Sequence, residues 1–144
     1  MGTPLPAEVS ESNSSRAGNF MTPFLLYNGH FAYMRAACWA LRAVWTARAK
    51  LANTRFDHIT LPSVPAVSAS AELGVTIVLR YIGPTCLVRS IVRQSWYAAH
   101  GSPRDLVIGV TAPGQGFQAH AWLEGDSWSE QEGFEELMRA PAKT

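Results

Sequence analysis

Two residues of this chain have the type and setting that nucleophilic catalysis uses: Cys86 and His120. Cys86 follows Pro84–Thr85 and starts an apolar-periodic stretch, so Thr85 reads as a helix N-cap and Cys86 falls in the first turn. A sulfur there faces backbone N–H groups without intrahelical acceptors and the positive end of the helix dipole, and both favour the thiolate. The same N–H groups can stabilise the oxyanion that forms when sulfur attacks a carbonyl. His120 lies in Phe117–Glu124 (FQAHAWLE), whose alternation sets Phe117, Ala119, Ala121 and Leu123 on one face and Gln118, His120, Trp122 and Glu124 on the other. If the His120 face packs on the start of the Cys86 helix, the imidazole reaches the sulfur as its base. The plainer alternative is a capped cysteine and a surface histidine that never meet.

A third group must orient the imidazole. A hairpin turning at Gly125–Asp126–Ser127 would put Glu132 opposite His120; a slip of two residues would put Glu130 there, and a longer loop would let Asp126 reach. Each acid taken singly reads as a solvated charge. No other cluster competes. His30, His58 and His100 lack ligand spacing with either cysteine, so no metal is expected. His100 reads as a helix C-terminal residue. Gly114–Gln115–Gly116 lacks the lysine and helix of a phosphate loop, so no nucleotide cofactor is expected.

The elements that must position these groups follow from periodicity. Residues 1–18 read as a flexible tail, and 19–144 as one domain with a helical half (about 28–82) and a catalytic core (about 83–138). Met21–Tyr27 is an apolar lead-in, Asn28 a cap, and Gly29–Ala52 a helix with Phe31, Met34, Cys38, Leu41 and Trp45 as its core stripe, which makes Cys38 an inert buried thiol. Asn53–Ser68, with Pro62 and Pro65, is an extended connector. A second helix runs from about Ser70, its cap, to Tyr81, with Leu73, Ile77, Val78 and Tyr81 facing one way and Gly83 ending it. The Cys86 helix packs through Leu87, Val88, Ile91, Val92 and Ser95 and stops at Gly101–Pro103. Leu106–Thr111 is a buried strand, Ala112–Gly116 a turn, and Phe117–Glu124 the His120 strand. Ser127–Glu132 is expected to pair back; Phe134–Met138 is a strand or a helical turn. Most of the five tryptophans should be core, with Trp122 and Trp128 beside the cleft. The fold class is α+β: N-terminal helices packed on a small antiparallel sheet.

Composition bounds the partners. At 144 residues, 47% hydrophobic and 16% charged, the chain suits one folded domain. A net charge of +1 points to neither nucleic acid nor an acidic membrane. No acid occurs between Glu11 and Asp57, whereas six acids crowd 124–136; such runs read as solvated faces. The uncharged run Ala17–Met34 contains Asn19, Pro23, Asn28 and His30, which argues against a membrane span. The N-terminus lacks the apolar core of a signal peptide and the two cysteines make no disulfide scaffold, so a reducing cytoplasm is expected.

Several short motifs carry a family likeness. C-L-x-R-S at Cys86–Ser90, the glycine at Gly101, I-G-V at Ile108–Val110 and A-H-A-W-x-E at Ala119–Glu124 together resemble the transglutaminase-like cysteine proteases of lasso-peptide maturation, closest to the stand-alone leader peptidase of the split B protein. The LPSVP connector and second helix extend the likeness over most of 30–140. The resemblance implies a papain- or transglutaminase-like fold with the nucleophile at a helix N-terminus. It implies a Cys–His–acid triad that removes the leader from a ribosomally made precursor, without a cofactor, beside a separate leader-binding protein and an ATP-using macrolactam synthetase. By matching position Cys86 is the nucleophile and His120 the base; the family's aspartate position is occupied by Glu132. No leader-binding winged-helix region is seen before residue 20, which suits the split form. Acyl transfer on the same triad and an inactive scaffold are the competing functions.

Overall fold

Alanine dominates one side of the first helix, and that side determines how the chain packs. The structure is a computed structural model describing residues 22–53, 55, 58–111, 114, 116–127 and 131–142, with 22–29 by backbone alone. Helix α1 spans Thr22–Leu51. It starts ahead of the expected Gly29: Asn28 is inside it rather than capping it, and Pro23 is accommodated because a first-turn residue donates no intrahelical hydrogen bond. The expected tail 1–18 and Met21 lie outside the described residues.

The buried side of α1 is Ala36, Trp39, Ala40, Ala43, Val44 and Ala47, and not the larger stripe. Phe31, Met34, Leu41 and Trp45 are 44–64% exposed, and Cys38 is exposed too. The reason lies in α2 (Glu72–Ile82), which approaches α1 closely. A methyl group on Gly74 would stand 2.4 Å from the Tyr33 carbonyl oxygen and 3.2 Å from the Ala37 nitrogen. Only small residues permit that approach. Gly74→Ala should therefore force the helices apart and lower stability by roughly 1–3 kcal/mol, as overpacking does, which urea unfolding would read. The same geometry reverses α2: Gly74, Val75 and Leu79 are buried, while the expected Leu73, Ile77 and Tyr81 are exposed at 56, 57 and 92%. A 3₁₀ turn (Ala69–Ala71) precedes α2, and Ser68 rather than Ser70 caps it by accepting the Ser70 N–H. Gly83, at φ +57°, ends α2 in the left-handed conformation that glycine adopts without strain.

Helix α3 (Cys86–Ala99) is apolar on two sides because it lies between two layers. Val88, Val92 and Trp96 face α1 and α2, with Trp96 tilted on Trp39 at 5.6 Å between ring centroids. Ile91, with Cys86 and Leu87 partly buried beside it, faces Ile59, Leu106, Ala121 and Leu123. The connector before α2 is held down by Trp39, whose Nε1–H donates to Pro62 O at 3.0 Å, and by His100, whose ring nitrogens lie 2.8 and 3.0 Å from the carbonyls of Trp96 and Val67.

Three antiparallel strands, β1 (Leu106–Thr111), β2 (Ala119–Leu123) and β3 (Phe134–Ala140), form a sheet in the order β2–β1–β3. Gly109 pairs with His120 on one side and Glu136 on the other, with a bulge between Ile108 and Gly109. Among the described residues no strand pairs back onto β2 after Gly125: β3 joins the far side of β1, 131–133 is a turn, and the middle of the expected return strand, 128–130, lies outside the described residues. No helix among the described residues is long and apolar enough to cross a membrane. The architecture is thus helices α1 and α2 on α3, and α3 on a small antiparallel sheet, an α+β arrangement.

Candidate active site

Local sequence places Cys86 as the first residue of α3. Thr85 caps the helix, its Oγ1 accepting the Val88 N–H at 3.5 Å. The first amides of the helix have no intrahelical carbonyl acceptor, and the Thr85 side chain satisfies only that of Val88. Cys86 is half-buried, and a cleft of about 70 Å³ beside it is lined by Cys86, Arg89, Ser90, Arg93, His120, Ala121 and Asp126. Cysteine and histidine therefore border one space.

The route by which they come together differs from the expectation. The strand face that packs on α3 carries Ala121 and Leu123, not His120 and Trp122. His120 lies over the opposite face, its ring stacked with Trp122 at 6.0 Å and tilted against Phe134 at 5.3 Å. It borders the Cys86 cleft because β2 is the edge strand of the sheet. Gly109, across from His120, makes room for this cluster: a methyl group there would lie 2.6 Å from the Trp122 ring. Trp122 is buried and stacks on His120 but does not itself line the Cys86 cleft; Trp128 and Glu130 lie outside the described residues.

Of the three acid candidates, the two among the described residues differ. Asp126 lines the cleft but is held elsewhere. Its carboxylate accepts two hydrogen bonds from Arg93, at 2.7 and 2.8 Å, and one from the Leu123 N–H at 3.0 Å, with Arg104 at 3.9 Å. Burial alone would raise its pKa, but the Arg93 hydrogen bonds, the Leu123 N–H and the two guanidinium charges outweigh burial and hold it below the usual carboxylate value. Glu132 is exposed in the turn two residues before Phe134, and no hydrogen bond joins it to His120 among the described residues.

Two residues that the sequence reading passed over join α3 to the His120 strand. Ser90, 2% exposed, donates its hydroxyl to the Ala121 carbonyl at 3.1 Å, adjacent to His120 in the chain. Arg93 ties the same helix to the turn after β2 through Asp126. A signal existed for Ser90: it stands one turn after Cys86, within an otherwise apolar face. Cys38, expected as buried, is exposed on α1 and lines a separate cleft with Arg35 and Arg42. Cys38→Ser should change stability by less than about 0.5 kcal/mol and leave the Cys86 chemistry intact, read by thermal melting and by Cys86 alkylation.

A model of the transglutaminase-like superfamily matches residues 31–139. The chain belongs to this superfamily. No curated protein and no solved structure matches it. The superfamily includes cysteine peptidases and acyltransferases, the two chemistries that a thiol, an imidazole and a helix N-terminus support.

Proposed function

We propose that this protein is a cysteine peptidase that removes the leader from a ribosomally made lasso-peptide precursor. The observation that carries the chemistry is the shared cleft of Cys86, at the start of α3, and His120, at the sheet edge. In this reading His120 accepts the thiol proton, and the sulfur attacks the peptide carbonyl while helix N–H groups hold the oxyanion. His120 then protonates the leaving amine, and water hydrolyses the thioester. The identity of the peptide rests on the likeness of the Cys86–Ser90 and Ala119–Glu124 motifs to leader peptidases. A separate leader-binding protein, a macrolactam synthetase and a cytoplasmic setting belong to the same proposal. The superfamily match equally covers acyl transfer, in which an amine replaces water; product mass separates the two.

Alkylation tests the pair without the precursor. At neutral pH iodoacetamide should label Cys86 faster than the exposed Cys38, and His120→Gln should remove that advantage. Glu132 is proposed as the acid that orients the imidazole, reaching His120 from the turn before β3. Glu132→Gln should lower kcat roughly 10- to 1000-fold with little change in KM, and Glu132→Asp should recover part of it. Full activity in Glu132→Gln would place the orienting group elsewhere.

A further inference from the structure

The side of α3 that carries Cys86 continues into a larger groove. Arg89 and Arg93 follow Cys86 at three and seven residues, one and two turns along. Both border the Cys86 cleft, and both also line a groove of about 460 Å³ whose other walls include Glu72 and Arg80 of α2 and the Gly125–Ser127 turn. That volume is in the range of about 300–1,000 Å³ typical of ligand sites. Asp126 borders both spaces as well, so the groove adjoins the reaction centre.

Its charges are unevenly matched. Arg93 is committed to Asp126, and the Glu72 carboxylate accepts the Tyr97 hydroxyl. The Arg80 and Arg89 side chains are exposed, and their guanidinium groups make no hydrogen bond or ion pair with any described residue. Leu79 is the one large aliphatic side chain among the described lining residues, and it is itself 4% exposed. An apolar side chain would find little there to cover it, whereas a carboxylate would find two unpaired guanidinium groups with matching planar geometry.

We propose that this groove is a substrate subsite in which Arg80 and Arg89 bind a carboxylate of the peptide, an Asp or Glu side chain or a chain terminus, a few residues from the scissile bond. The proposal rests on Cys86 as the nucleophile and adds an acidic peptide as the substrate class. Two sets of electrophiles test it. N-chloroacetyl tripeptide amides extend from the sulfur in one chain direction, and tripeptidyl chloromethyl ketones in the other. In each set, Glu or Gln stands at one of the three positions; one chloroacetyl peptide has Gln with a free terminal carboxylate. The Cys86 thiolate displaces chloride: the C–S bond forms, the C–Cl bond breaks, chloride leaves with the electron pair, and the thiol proton passes through His120 to buffer.

Labelling of Cys86, followed by mass spectrometry, should be roughly three- to tenfold faster with Glu than with Gln at one position of one set, the size of one or two partly screened ion pairs. The preference should shrink at high salt. It should disappear in Arg80→Gln and Arg89→Gln and persist in Arg48→Gln, which lies on α1 outside the groove. A preference confined to the free terminal carboxylate would assign the subsite to a chain end. Equal Glu and Gln rates at every position, while Cys86 still outpaces Cys38 with iodoacetamide, would overturn the subsite and leave the nucleophile standing. So would a Glu preference that survives both arginine substitutions. A Cys86 no faster than Cys38 would overturn the subsite and the peptidase reading together.

Discussion

Cys86→Ala is expected to lower precursor cleavage by at least about 10³-fold while the protein stays folded. The size follows from the role: without the sulfur no thioester forms, and what remains is the binding and oxyanion contribution of the site. The fold should tolerate the change because Cys86 is half-buried at the edge of the smaller core cluster, and the residues that tie α3 to β2, Ser90 and Arg93, are untouched. A thermal midpoint within a few degrees of wild type is the matching expectation. His120→Gln should fall comparably, and the Cys86→Ala, His120→Gln double variant should be no worse than either single one, since both groups serve one step. Wild-type cleavage by Cys86→Ala would end the peptidase reading and leave the scaffold function. Additive losses in the double variant would mean that His120 acts in some other way than on this sulfur.

Asp126→Ala should be the most damaging single substitution for stability near the cleft, costing roughly 2–4 kcal/mol. The Asp126 side chain is 5% exposed, and its removal leaves the Arg93 guanidinium and the Leu123 N–H without their acceptor. Losing one member of a buried pair typically costs about 3–5 kcal/mol; the lower figure here reflects the 25% exposure of Arg93. The pH dependence has a definite sign. The folded state holds the Asp126 pKa below its unfolded value of about 3.9, so the carboxylate's contribution is complete above that value and is lost as pH falls through the folded pKa. Wild type should therefore lose stability below about pH 4 more steeply than Asp126→Ala. Denaturant unfolding at pH 7 and pH 3 measures both effects. The same variant separates architecture from chemistry. If Asp126→Ala unfolded as wild type does yet lost cleavage, Asp126 and not Glu132 would be the group that orients His120.

Much of the site is local in origin and therefore legible in the chain. Thr85 caps, Gly83 breaks and Cys86 opens α3 because these choices depend on the few residues around them. The alternation around His120 likewise separated it from Ala121 and Leu123, although it did not show which of the two faces packs on α3. The third catalytic group was less legible. Glu132 was placed by assuming that the segment after β2 turns back onto it, and strand order is a long-range choice. Here β3 pairs with β1 instead, so Glu135 and Glu136, not Glu132, lie in register across the sheet.

The errors on α1 and α2 have a single cause. Each helix has two faces that hydrophobic periodicity can select, one of large side chains and one of small ones. A count of apolar residues favours Phe31, Met34, Leu41 and Trp45 on α1, and Leu73, Ile77 and Tyr81 on α2. Close approach of the backbones favours the other pair of faces, because Gly74 fits against Tyr33 and Ala37 only where no larger side chain intervenes. The amino-acid sequence by itself determined the helix that starts at Cys86, the strand that carries His120, and the kinds of chemistry open to the pair, all through contacts within a few residues. Tertiary structure decided which helix faces are buried, which strand neighbours which, and that His120 meets the Cys86 cleft from the sheet edge. Those outcomes depend on the fit between segments far apart in the chain, and no local pattern encodes that fit.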